Sequence, residues 1–218
     1  MNTGRSKSLL ASSVLSMMLL AGCAPPQPNN AGVYMLVDTS GTYREEIEKA
    51  EQIIRYTLSR LDATDSFAVA RIDTGSFSEK DIVAKMTFDD RPSTINQQKR
   101  LFAEQVNTFV DDSRSSPYTD ITGGLLQAVE FLNEKGPSEK TVLIFSDLKE
   151  DLEVGYIRDI EFDLEGFEVI ALNVTKLRSD NIDPREYLDR LDLWQQKVES
   201  SGGHWQVIND LDGLEGLL

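Results

Sequence analysis

The chain has 218 residues, with 37 acidic against 22 basic side chains, a net charge of −15 at pH 7 and one cysteine, Cys23. That acidity argues against nucleic acid, whose phosphates demand clustered lysine and arginine, and against flat adsorption on anionic lipid. One cysteine excludes a disulfide within the chain, and the length suits one domain able to bury a core of ordinary size.

Arg5 and Lys7 precede the apolar run "LLASSVLSMMLLA", Leu9 to Ala21, which meets the small residues of "GCAPPQPNN". A positive start, a short apolar stretch and a small-residue border predict a secretory signal. The run falls short of the ~20 residues that span a bilayer, and it has no polar face for a surface helix. "LLAGC" resembles the lipobox of bacterial lipoproteins. In that family the cysteine becomes the first mature residue and carries several acyl chains, palmitate among them, and more than one chain is what stable anchoring requires. The resemblance implies residues 1–22 as signal peptide, lipidation at Cys23 and a flexible Pro-rich tether over 23–32. Ala24 is not the aspartate that commonly retains such proteins at the inner membrane, which implies the outer membrane of the cell envelope, facing the periplasm. The signal holds two basic and no acidic residues, so the remainder is more acidic still.

Residues 33–218 alternate strand and helix patterns. "VYMLV" (33–37) is a continuous apolar run, as in a strand covered on both faces. Residues 43–61 place Ile47, Ala50, Ile54, Leu58 and Leu61 at helical spacing. "SFAVARI" (66–72) reads as a strand. In "DIVAKMTF" (81–88), Ile82, Ala84, Met86 and Phe88 alternate with Val83, Lys85 and Thr87, and the short link before it predicts an antiparallel edge strand. A helix over 94–111 shows Ile95, Phe102, Val106 and Phe109 on one face. Another begins near Asp120 and stops at Gly136-Pro137. "TVLIF" (141–145) is a second buried strand, a helix is expected over 153–165, and "FEVIALN" (167–173) is a strand. Asp183-Pro184 opens a helix carrying Leu188, Leu191, Trp194 and Val198, and "HWQVI" and a short C-terminal helix follow. The expected fold is a doubly wound α/β sheet of six strands, mostly parallel with one antiparallel edge strand and helices on both faces.

In such sheets ligands bind beyond the carboxyl ends of the strands, where strand order reverses. Asp38 ends the first buried strand and is followed by Ser40 and Thr42 in "DTSGT"; Asp147 ends another in "TVLIFSD"; Thr119 opens the loop into the third helix. Two carboxylates and three hydroxyls, with no histidine or cysteine, suit a hard cation, chiefly Mg²⁺ or Mn²⁺. A carboxylate from a partner would complete its coordination.

This ordered set resembles the metal-ion-dependent adhesion site (MIDAS) of von Willebrand factor type A (vWA) domains. The family pattern is Asp-x-Ser-x-Ser after the first strand, a Thr in the middle loop and an Asp after the fourth strand. It carries over to Asp38, Ser40 and Thr42, then Thr119 in "YTDITGGLLQAVEFL", then Asp147 in "LIFSD". Thr42 stands where the family has a second serine, an equivalent oxygen donor on a stiffer side chain. The resemblance implies divalent-metal-dependent binding of another envelope or extracellular protein, usually without catalysis.

Simpler readings stand beside it. Asp38 and the hydroxyls after it would cap the 43–61 helix, Thr119-Asp120 would cap the next, and Asp147 would be a turn residue. A vestigial site on a metal-independent scaffold keeps the fold and binds through the acidic surface. "DTSGT" also resembles the Asp-x-Asp-x-Thr motif of haloacid dehalogenase-type phosphatases, with Asp38 as nucleophile, but Ser40 replaces the acid–base aspartate. No Gly-rich phosphate loop is present, and the single His204 stands apart from any arranged nucleophile, so an enzyme is not expected. "YREEIEKAE" (43–51) is read as a dipole-matched helix start, "DLKEDLE" (147–153) as a solvated loop or an acidic rim, and Trp194 and Trp205 as core.

Overall fold

The structure is a computed structural model that describes residues 29–41, 43, 46–73, 78–155 and 160–209. Six strands form one sheet: β1 (Ala31–Val37), β2 (Ser66–Arg71), β3 (Ile82–Thr87), β4 (Glu139–Phe145), β5 (Phe167–Leu172) and β6 (His204–Ile208). Their order across the sheet is β3-β2-β1-β4-β5-β6. All pairs are parallel except β2 with β3, so the expected antiparallel edge strand is present. Strand order reverses between β1 and β4, where the chain leaves β1 toward one edge and returns to build the other.

The helices are α1 (Ile47–Arg60), α2 (Pro92–Asp112), α3 (Ile121–Lys135) and α4 (Arg185–Ser200). The continuous apolar runs of β1 and β4 follow from burial on both faces. Tyr34, Leu36, Val142 and Ile144 point into a core shared with α3 and α4. Val33, Met35, Val37, Leu143 and Phe145 point into a second core shared with α1 and α2. In that second core the Phe67 and Phe102 rings stack with centroids 4.8 Å apart.

α3 starts where Asp120 accepts a hydrogen bond from the Gly123 N–H, and it ends at Gly136, whose φ of 59° releases the chain from the helix. It lies close on the sheet: a Cβ at Gly124 would stand 2.7 Å from Ile72 Cγ2 and 2.8 Å from Leu36 Cδ2.

The structure departs from several expectations. Residues 153–155 and 160–165 form no helix; Gly155 takes a φ of 102°, and Phe162 and Leu164 turn alternately into the core as an extended segment does. α1 begins at Ile47 rather than 43, because Tyr43 is drawn into the core, where its hydroxyl bonds to the Asn173 carbonyl. Ile82 does not share a face with Ala84 and Met86: a register shift between Val69 and Ala70 sends it to the opposite core. Leu188 is 55% exposed, so α4 buries Trp194 and Val198 but not that residue.

β1 takes in Ala31 and Gly32, expected as tether. The signal segment 1–22, Cys23 and the C-terminal helix expected over 210–218 lie outside the described residues.

Candidate functional site

Asp38 follows β1 directly and Asp147 stands two residues beyond β4, the neighbouring strands at the reversal. The ladder carries on past β1, since the Asp38 N–H donates to the Phe145 carbonyl at 2.9 Å. Both carboxylates are buried, at 0% and 3% exposure. Thr119 is buried beside them, its hydroxyl 3.5 Å from Asp38 Oδ1. Ser40 is half-buried, and its N–H donates to Asp38 Oδ1 at 2.8 Å. Thr42, the remaining expected donor, lies outside the described residues.

A cleft of about 540 Å³ opens over this group, with Ser40, Thr119 and Asp147 in its wall beside Ser116, Lys149 and Leu177. Ser40, Thr119 and Asp147 of the expected set line this cleft, while Asp38 is fully buried in contact with Ser40 and Thr119.

Electrostatics sharpen the picture. Burial lifts the Asp38 carboxyl to about 6, against hydrogen bonds from Ser40 and Ser146 that pull it down, and Asp147 adds a smaller lift. Asp38 takes its hydrogen bonds from neutral donors, and no lysine or arginine among the described residues forms an ion pair with it. Two buried carboxylates side by side are costly to keep charged unless a cation joins them.

The simpler readings divide. Asp38 does not cap α1, whose N-cap position is Glu46 and which has no side-chain cap. Asp120, not Thr119, caps α3, and Asp147 does accept from the Lys149 N–H at 2.9 Å, as a turn residue would. The acidic run after Asp147 is not simply solvated rim. Glu150 takes the Thr122 N–H at 2.6 Å at the start of α3, and Asp151 exchanges backbone hydrogen bonds with Thr119. His204 is a surface residue 3.7 Å from Glu168, and both tryptophans are core.

Three supporting residues were not visible in the pattern. Ser146 donates to Asp38 Oδ2 at 2.7 Å, Asp73 accepts from the Thr39 hydroxyl at 2.6 Å, and Arg190 donates to the Asp147 carbonyl at 3.1 Å. A hydroxyl directly before Asp147 was the one available signal.

Among solved structures, this chain is similar to a von Willebrand factor type A protein from Catenulispora acidiphila, with a TM-score of 0.55 and 17% identity over 86% of this chain and 41% of that one. The fold is that of a von Willebrand factor type A domain. The pilus adhesin SpaC from Lactobacillus rhamnosus GG, in its open conformation, matches this vWA fold at a TM-score of 0.55 and 11% identity, over 88% of this chain and 29% of that one. The chain therefore spans less than half the length of either protein, and at these identities the likeness is one of fold. No protein-family model and no curated protein matches the sequence.

Among the described residues no helix is long and apolar enough to cross a membrane. None of them forms a cluster of three or more His, Cys, Asp or Glu able to hold a metal, so a cation here would depend on two carboxylates and hydroxyls.

Proposed function

We propose that this is a lipid-anchored cell-envelope protein whose vWA domain binds another protein through a divalent cation, Mg²⁺ or Mn²⁺. Asp38, Ser40, Thr42, Thr119 and Asp147 would hold the ion, directly or through water. The observation that carries the reading is the pairing of Asp38 and Asp147, both buried and without a cation on Asp38, at the strand-order reversal under an open cleft. The donor set fits: all-oxygen ligands with few charges suit a hard ion that keeps open positions. When bound, the ion supplies an electrophilic centre for an acidic side chain of the partner. The chain's own residues fix the ligands, exclude bulk water from Asp38 and present Ser40 and Thr119 at the cleft.

The domain is read as a binding module rather than an enzyme, since Ser40 stands where a phosphatase of the haloacid dehalogenase type needs its acid–base aspartate. The adhesin nature of SpaC supports protein binding as the function of this fold. Lipidation at Cys23 rests on "LLAGC". β1 runs roughly 23 Å from Ala31 to the Asp38 end, so the site lies at the end of β1 opposite the one where the chain enters the sheet. Outer-membrane placement facing the periplasm follows the same reading.

Capture of envelope proteins in Mg²⁺ against chelator tests the function, with Asp38→Ala as control. The reading expects metal-dependent capture that the variant loses; capture unchanged by both removes the metal role. One observation favours a second reading: both Asp38 oxygens already accept hydrogen bonds, from Ser40 and Ser146, as in a purely structural turn. That alternative, a scaffold binding through its acidic surface, expects capture to be salt-sensitive and metal-independent.

A further inference from the structure

The turn that delivers Asp147 is held in an unfavourable shape, and α4 is what holds it. After β4 ends at Phe145, Leu148 takes a φ of 64°, a left-handed conformation in which the Cβ of a leucine crowds its own backbone. Its side chain is 2% exposed and packs in the core that contains Trp194.

Two carbonyls of the turn are tied to one face of α4. Arg190 Nε donates to the Asp147 carbonyl at 3.1 Å, and Trp194 Nε1 donates to the Leu148 carbonyl at 3.1 Å. Arg190 and Trp194 stand four apart, one turn of helix, so one helical face meets two consecutive peptide units. The rest of the Arg190 guanidinium forks onto Asp180, Nη1 to Oδ1 at 2.9 Å and Nη2 to Oδ2 at 2.8 Å. That pair is nearly closed to solvent, with side-chain exposures of 14% and 0%. Asp180 in turn accepts the Leu177 N–H at 2.7 Å, and Leu177 lines the same cleft as Asp147.

A buried ion pair is weak evidence for stability but fixes geometry well, because a bidentate fork admits one orientation. We propose that Arg190, with Trp194, is a positioning residue for the site: it locks the Asp147–Leu148 turn in its left-handed form, aims the Asp147 carboxylate beside Asp38, and ties that turn through Asp180 to Leu177 in the cleft wall. The purpose of the lock rests on the metal-site reading, whereas the lock itself is a property of the metal-free protein.

Two measurements on the purified protein test this and separate the two claims. The first is amide hydrogen exchange in the metal-free state; the second is Mn²⁺ binding by calorimetry well below the unfolding temperature. Trp194→Phe keeps a ring and loses the N–H. Arg190→Gln with Asp180→Asn removes the fork without leaving a buried charge unpaired. In both variants the Leu148 and Lys149 amides should exchange roughly tenfold faster, as for loss of one hydrogen bond. The Val142 and Leu143 amides in mid-β4 should keep their protection, and Mn²⁺ should bind roughly tenfold more weakly. Arg190→Lys, which retains the charge but not the fork, should not restore either value.

Unchanged exchange at Leu148 and Lys149 overturns the proposal whatever the metal does. Faster exchange with unaltered Mn²⁺ affinity overturns the positioning role. Faster exchange in a protein whose wild type binds no Mn²⁺ supports the lock and instead removes the metal reading.

Discussion

Ser146 Oγ donates to Asp38 Oδ2 at 2.7 Å, joining the turn that follows β4 to the last residue of the β1 ladder. The same hydroxyl accepts the Leu148 N–H at 3.1 Å, so one small side chain braces both carboxylate-bearing turns. Ser146→Ala should destabilise the metal-free protein by about 1.5–3 kcal/mol, the range for a buried hydrogen bond to a charged group. Denaturant unfolding at neutral pH checks it; a loss under ~0.5 kcal/mol would mean Ser146 is a bystander.

Packing under the site makes a second prediction. Because a Cβ at Gly124 would meet Ile72 and Leu36 side chains at 2.7 and 2.8 Å, Gly124→Ala should overpack the junction of α3 with the sheet. The expected cost is about 1–3 kcal/mol, despite alanine's better helix propensity. Thermal unfolding of the variant reads it directly, and a stabilised variant would mean that α3 is free to lift from β1.

The pH dependence has opposite signs with and without metal. Asp38 sits at about 6, above its usual 3.8, so the folded state holds this proton more tightly than the unfolded chain. Its stabilising contribution is full below pH ~4 and is lost as pH rises through about 6, on the order of 3 kcal/mol for this group. A bound cation competes with that proton. Mn²⁺ affinity should therefore be about tenfold weaker at pH 5 than at pH 7.5, set by the ionised fraction of Asp38. Calorimetric titration at the two pH values tests the sign, and equal affinities would place the cation away from Asp38.

Much of this was legible in the chain, for reasons that differ by element. β1 and β4 declare themselves as apolar runs because both faces are covered, and Asp38 and Asp147 stand out as carboxylates at their ends. α3 carries its own start and stop in Asp120 and Gly136. The edge strand β3 was readable from alternation, but the bulge that turns Ile82 to the other core depends on its partner β2 and left no local mark. Residues 160–165 misled because Phe162 and Leu164, placed two apart, are compatible with an extended segment that only the surrounding core selects. Around the site, the donors came from pattern, whereas Arg190 and Trp194 reach the Asp147 turn across 43 and 46 positions of sequence, a relation only the fold creates.

A divalent cation held by Asp38 and Asp147 in the native state would stabilise the fold against unfolding. The most direct test is thermal unfolding of chelator-stripped protein titrated with Mg²⁺ and Mn²⁺, with Asp38→Ala alongside. Ligand at ~100 times Kd adds about 2.7 kcal/mol when only the native state binds. For a domain of this size that raises Tm by roughly 5–11 °C. A saturable rise in the wild type that is absent from the variant is the predicted result. No rise in either protein, or an equal rise in both, would mean that Asp38 holds no cation in the native state.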